Sequence, residues 1–358
     1  MSWASYRHTL ECPRLTQSGH CQPRLRTLDN RVFCSETCPV ATEGAICLNG
    51  INLALGAGVS KETTRAKSAK ERPGAVALRR GREADATAVG AICYQAFKDI
   101  AEAHNFTPDF PTPDIAAGLL GSMIGHEGFY DVVAEIDGRI VGSNFLDERN
   151  PIAAIGPVTV EPGKQNGQVG RVLMQAAMDR ARERGFAGIR LLQAGYHNRS
   201  LSLYLKLGFD AREHIACLQG PAIGKAMPGC TVRSARSDDL AACNNLCFRI
   251  HGHNRSGELA DAIAQSTASV VERTGRITGY ATAIAYFGHA VAETTDDMKA
   301  LIGAAPAYLG PGFLVPSRNG DLMRWCLAEG LRVTHTMTLM TIGLYNEPEG
   351  AWLPSVLC

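Results

Sequence analysis

The sequence predicts a mixed α/β protein, an α+β mixed-sheet fold present in two tandem copies. Three observations predict it. Strand-like and helix-like segments interleave from Val76 onward, a block of residues recurs later at a fixed offset, and one strand runs through a glycine-containing loop into an amphipathic helix. The length of 358 residues suits two domains of about 150 residues each.

Composition narrows the class. A hydrophobic share of 45% with 20% charged residues is that of a soluble globular chain. Lys and Arg total 36 against 35 Asp and Glu, a formal charge of +1. This balance argues against a nucleic-acid or membrane-surface binder, which would carry a basic excess. No apolar run approaches the roughly 20 residues that span a bilayer. The opening MSWASYRHTLECPR lacks a basic stretch followed by an apolar one, so a cytoplasmic protein is expected.

Residues 1–75 form an extension with weak periodicity, closed by the charged, linker-like KETTRAKSAKERPG over 61–74. Five of the 12 cysteines, Cys12, Cys21, Cys34, Cys38 and Cys47, fall there. Only Cys34 and Cys38 are closely spaced and no second pair matches them, so free thiols and no metal site are expected.

The elements then follow in order. VALRR at Val76 is a short strand, Glu83 to Phe97 is helical, and Tyr130 to Glu135 is a strand turned at Asp137-Gly138 into its partner Arg139 to Leu146. Ile152 to Val160 is a further strand ended by Pro162. Gln168 to Arg184 has a helical apolar period with Gly185 as its stop. Strand Ile189 to Gln193, helix Asn198 to Leu207 and strand Asp210 to Leu218 complete the first copy, residues 76–220. The segment FTPDFPTPD over 106–114 is expected to be a loop.

The remainder repeats this layout. At an offset of 154, Leu78, Arg79, Arg82, Asp85, Ala88, Ile92, Cys93 and Tyr94 fall on Val232, Arg233, Arg236, Asp239, Ala242, Leu246, Cys247 and Phe248. At an offset of 137, GRIVG at Gly138 falls on GRITG at Gly275. A second copy is therefore expected over residues 229–358, after the Gly/Pro-rich GPAIGKAMPG.

The stretch VTVEPGKQNGQVGRVLMQAAM over 158–178 carries the chemistry. A loop presenting backbone N–H groups, followed by the positive end of a helix dipole, suits a phosphate or pyrophosphate. Glycines at 167 and 170 allow close approach to the backbone. The loop is neither a Walker A loop nor G-x-G-x-x-G.

Its spacing, Gln165-Asn166-Gly167-Gln168-Val169-Gly170, resembles the acyl-CoA loop of the GNAT N-acetyltransferase superfamily, Gln/Arg-x-x-Gly-x-Gly/Ala. A second signature follows in order, NRSLSLYLKLGF over 198–209, similar to N-x-x-A-x-x-x-Y-x-K-x-G-F. The sequence departs from the pattern at Gln168, which stands where the first loop glycine belongs, with Gly167 one position earlier. The resemblance implies an acyltransferase that moves an acetyl or other short acyl group from acetyl-CoA, or another acyl-CoA, to a small-molecule or peptide amine by direct attack. A non-catalytic acyl-CoA sensor or scaffold is the alternative.

Residue by residue, the resemblance implies that Val158 and Val160 meet the pantetheine arm through their backbones. The loop amides of Gly167, Gln168, Val169 and Gly170, with Arg171, would hold the pyrophosphate; Gln165 and Asn166 belong to the same cofactor-binding loop, with Lys164 nearby. Asn198 would cap the next helix and touch the arm. Tyr204 would be the acid that protonates the departing thiolate. For the base, the strand IAAIGPVTV carries no carboxylate, which leaves Glu148, His197 and a water chain as candidates; Asp147 and Glu148 also suit a charged hairpin end.

The second copy lacks this equipment. Aligning Gly330-Leu331 with Gly208-Phe209 puts Cys326 at the place of Tyr204, and the segment GHAVAETTDDMKALIGAA is acidic with no glycine loop. Acids at that helix start would repel a pyrophosphate. This copy is expected to bind no acyl-CoA and to serve as scaffold or as a wall of the first copy's cleft.

Overall fold

The structure is a computed structural model that describes residues 75–357, together with the backbone of Thr27–Leu28 (β1) and Arg31–Val32 (β2), which pair antiparallel. The chain divides into two compact units, Met1–Ser68 and Ala69–Cys358. The five early cysteines and the linker 61–74 lie outside the described residues.

The first half of the larger unit contains β3 (Ala77–Arg79), a single 3-10 turn at Glu83–Asp85, α1 (Ala86–Ala103), α2 (Pro113–Ile124), β4 (Phe129–Ile136), β5 (Arg139–Asp147), β6 (Ile152–Ile155), β7 (Thr159–Val160), α3 (Val169–Glu183), β8 (Gly188–Ala194), α4 (Asn198–Lys206) and β9 (Asp210–Gln219). The second half contains β10 (Thr231–Ser234), α5 (Leu240–His251), α6 (Ser256–Ala264), β11 (Ser269–Arg273), β12 (Arg276–Ala281), β13 (Ala290–Ala292), α7 (Thr295–Ala304), β14 (Phe313–Pro316), α8 (Gly320–Ala328), β15 (Arg332–Gly343) and β16 (Ala351–Leu353).

Two local outcomes differ from expectation. The strand expected over 152–160 is two strands, β6 and β7, parted by Gly156-Pro157, where proline has no N–H for a ladder. The segment FTPDFPTPD gives way to α2 at its last two residues. Thr112 caps that helix by accepting from the Ile115 amide at 3.4 Å, Pro113 takes the first turn, and Ala116, Leu120 and Met123 are buried. A Cβ at Gly90 would run into the Ala117 backbone, so glycine there lets α1 and α2 meet closely.

The strands form two sheets. One has the order β10-β11-β12-β13-β16; the other runs β14-β9-β15-β8-β6-β5-β4-β3, with β7 also on β5. The larger sheet is shared by the halves. β15 of the second half lies antiparallel between β8 and β9 of the first, and β9 in turn lies between β15 and β14. Each half thus supplies a strand that completes the other's edge, and the halves interleave. Their cores merge as well: Ala154, Ile215 and Cys217 pack in one cluster with Leu246, Tyr280 and Trp352.

The recurring residues hold matching positions. Arg79 reaches Asp85 at 2.6 Å and Glu135 at 2.7 Å; Arg233 reaches Asp239 at 2.7 Å and Glu272 at 2.6 Å. Each aspartate also accepts from a backbone amide, Arg82 in one case and Arg236 in the other, both at 2.8 Å.

Candidate active site

β7 pairs with β5 through Gly142↔Val160 and Ser143↔Thr159, and among the described residues no strand pairs with its other edge. Beyond it a 3-10 turn at Pro162–Lys164 leads into the loop. Asn166 and Gln168 both adopt left-handed backbone, φ +66° and +68°, and Gln168 is the residue from which α3 departs. The fold therefore puts its demand for positive φ on Gln168 rather than on Gly167, at a cost of about 1–2 kcal/mol for a residue with a Cβ. The first helical hydrogen bond runs from the Val172 amide to the Gln168 carbonyl at 3.0 Å. The amides of Val169, Gly170 and Arg171 come before it and face out of the helix start, and the first turn carries no acid. This is an anion cradle by geometry and by charge.

A cavity of about 380 Å³ opens beside it. Val158, Val160, Gln165, Asn166, Gln168, Gly170 and Arg171 are among its lining residues, as the resemblance implies for a cofactor arm. Gln165 bridges the region, donating to the Val160 carbonyl at 3.2 Å and accepting from Arg199 at 2.8 Å. The other expected ligands stand differently. Val169 is buried on the inner face of α3, and the exposed Gly167 and Asn198 are not among the lining residues. The cap of α4 is His197, whose Nδ1 accepts from the Ser200 amide at 2.9 Å; Asn198 is the first helical residue, so it is not the cap.

Tyr204 lines the cavity from α4, with its ring 6.1 Å from that of Phe209. Burial pushes its phenol up to about 12, so it stays a proton donor throughout the working pH range. Gln193 also lines the cavity; it is buried, and among the described residues its Oε1 has no hydrogen-bond partner.

The two side chains considered as bases are placed against that role. Glu148 is not among the lining residues. Its carboxylate accepts from Arg180 Nε at 2.7 Å and from a second Arg180 nitrogen at 3.0 Å, and its side chain is 8% exposed. His197 lines the cavity, but capping occupies its Nδ1, so the neutral ring carries its proton on Nε2 and can only donate there. Burial lowers its pKa further. Asp147 is tied to Arg149 at 2.6 Å.

The cavity also takes residues from the α1–α2 loop and from the second half. Asp109, on the loop between α1 and α2, lines it together with Tyr196, Tyr286, His335 and Met337. Loss of water around the Asp109 carboxyl pushes it up to about 6. Tyr286 and His335 belong to the second half, so both halves build the site.

The corresponding place in the second half is closed. β16 pairs along β13 through Ala290↔Leu353, Val291↔Trp352 and Ala292↔Ala351. The first turn of α7 holds Asp296 and Asp297, and Thr294 caps it by accepting from the Asp297 amide at 3.1 Å. Cys326 is fully buried and burial pushes its thiol up to about 12, which leaves it unreactive. Among the described residues no group of three or more His, Cys, Asp or Glu could hold a metal ion, and no helix is long and apolar enough to cross a membrane.

Comparison with known proteins agrees with this geometry. The family model described as "Acetyltransferase (GNAT) family" matches residues 93–209. No curated protein matches the chain. Among solved structures, a Pyrococcus horikoshii protein assigned as an acetyltransferase superposes with a TM-score of 0.59 at 14% identity, covering 80% of this chain and 94% of its own. A GCN5-related N-acetyltransferase from Sphaerobacter thermophilus gives a TM-score of 0.50 at 17% identity, covering 76% of this chain and 96% of its own. These shares are too large for either half alone, so the likeness in fold extends across both.

Proposed function

We propose, for a chain whose residues 93–209 are a GNAT-family acetyltransferase domain, that it transfers an acetyl or short acyl group from acyl-CoA to an amine within one ternary complex. The observation that carries this reading is the open start of α3 beside the edge of β7 that no described strand pairs, lining one cavity with Tyr204.

The residues divide the work. The amides of Val169, Gly170 and Arg171 hold the pyrophosphate, assisted by the exposed Arg171 side chain. Val160 on the edge of β7, with Val158 just before that strand, aligns the pantetheine arm through backbone pairing. In the reaction the amine nitrogen bonds to the thioester carbonyl carbon, the C–S bond breaks, and Tyr204 donates a hydrogen bond to the departing sulfur. A thiol near 8.5 needs little more than that donor to leave at neutral pH.

The second half acts as a degenerate tandem copy. The matching Arg–Asp–Glu clusters support common descent of the halves. β16 and the acids of α7 keep acyl-CoA out of it, and its contribution is to wall the first copy's cleft.

Release of free CoA thiol from acetyl-CoA, measured against a panel of primary amines, tests the reading. Tyr204→Phe is expected to slow turnover about 100-fold while leaving acetyl-CoA affinity within about 2-fold. An unchanged rate removes the acid role from Tyr204, and no thiol release with any amine removes the enzyme.

A further inference from the structure

Asp109 is a carboxylate set in an apolar cavity without a cation. Among the described residues no Lys or Arg pairs with it, and its one hydrogen-bonding neighbour is the Tyr286 hydroxyl at 3.5 Å. The titratable groups that feel its charge are Cys93 on α1, Tyr196 before α4, Cys217 on β9 and Tyr286. All four are acids whose pKa is raised, so all are neutral at pH 7. His335, whose ring lies 5.8 Å from that of Tyr286, is held neutral by burial and has an unpartnered Nε2.

The surrounding walls are apolar and largely aromatic. Phe97 and Ile100 come from α1, Phe110 from the α1–α2 loop, Phe287 and Met337 from the second half. Tyr196 is braced by Phe106, with ring centroids 4.5 Å apart and planes 15° from parallel. A carboxylate in such surroundings carries a desolvation cost that a paired cation would offset, and among the described residues none pairs with it. The missing cation fits an ammonium group, and the aromatic walls fit an apolar body attached to it.

We infer that Asp109, braced by Tyr286 of the second half, is the acceptor-binding carboxylate of this site, and that the acceptor is a primary ammonium ion on an aromatic or otherwise apolar body. This deepens the acyltransferase reading and rests on it. Asp109 takes one proton from the bound R–NH3+, the freed nitrogen lone pair forms the N–C bond, and the C–S bond breaks to thiolate. The thiolate takes the second nitrogen proton by way of Tyr204 or water. Asp109 then returns its proton to solvent, so R–NH3+ and acyl-CoA give the amide, CoA thiol and one H+. A carboxyl raised towards 6 is a better proton acceptor than an ordinary one and is still ionised at pH 7.

The experiment compares 2-phenylethylamine, spermidine and glucosamine as acceptors by CoA thiol release, with acetyl-CoA binding followed by calorimetry on the same samples. The expected result is a kcat/KM for 2-phenylethylamine at least about 100-fold above the two polar amines. Asp109→Asn should lower it about 100-fold with acetyl-CoA affinity unchanged, and Tyr286→Phe should move the low-pH limb of the rate profile that lies near 6 in the native enzyme. Intact acetyl-CoA binding shows that either variant has folded. Preference for spermidine or glucosamine, no release with 2-phenylethylamine despite acetyl-CoA binding, or an Asp109→Asn enzyme as active as the native one overturns the inference and leaves the acyltransferase reading standing. Failure of the native protein to bind acetyl-CoA overturns that reading, and the inference with it.

Discussion

The Tyr286 hydroxyl lies 3.5 Å from Oδ2 of Asp109, which puts a group from the loop after β12 of the second half against a carboxylate from the α1–α2 loop of the first. The contact spans 177 positions of sequence, and both residues line the cavity that also takes in the helix start of α3. The residues proposed to hold the cofactor thus come from the first half alone, whereas those proposed to hold the acceptor come from both halves.

That shared construction predicts that the first half does not fold by itself. In a fragment of residues 75–220, β8 and β9 lose the strand between them, and with it the ladders over Met337 to Gly343 and Arg332 to Thr341. Ile215 and Cys217 would also lose their packing on the second half. The fragment should show no cooperative thermal transition by circular dichroism, whereas residues 75–358 should melt cooperatively. A fragment 75–220 that melts sharply would contradict the interleaved architecture.

The histidines predict how stability depends on pH. His253 and His335 are 5% and 6% exposed, and burial lowers both to about 4 from an ordinary 6.5. Between these values the unfolded chain binds protons that the folded one refuses, so stability is full above about 6.5 and falls as pH drops towards 4. Each histidine contributes up to about 3 kcal/mol to that fall. The buried His251 and His289 shift the same way, whereas Asp109, raised to about 6, opposes them with a smaller gain on acidification. The melting temperature should drop by several degrees from pH 7.5 to pH 5. A flat or rising Tm over that range would contradict these placements.

Gln168 gives a third test. Its φ of +68° is ordinary for glycine and strained for glutamine. Gln168→Gly relieves that strain but loosens the unfolded chain by about 0.5–1 kcal/mol, so a net gain of up to about 1 kcal/mol is expected, read as a small rise in Tm. A fall in Tm would show that the Gln168 side chain stabilises the loop by more than the strain costs.

Much of the first half was legible because its signals are local. The Asp137-Gly138 turn, the apolar period of α3 and the two motifs that flank β8 each lie within a few turns of chain. α2 was also legible in principle, since Thr112-Pro113-Asp114 is a helix start, but the prolines around it pointed to a loop. Strand order was not, because no local pattern records that β15 inserts between β8 and β9. The partners of the base candidates were not legible for the same reason. Glu148 is held by Arg180, 32 residues later, and Asp109 by Tyr286, 177 residues later, and neither pairing is written in the local sequence.

Calorimetric titration of the full chain with acetyl-CoA, beside the Gly170→Asp variant, tests the central claim most directly. A Cβ at Gly170 meets its nearest neighbours, Val160 and Leu203, at 3.7 and 3.8 Å, so the fold can accept the side chain while a carboxylate enters the anion cradle. The account predicts one site per chain in the native protein and none in the variant. No binding, two sites per chain, or binding that Gly170→Asp leaves intact would contradict it.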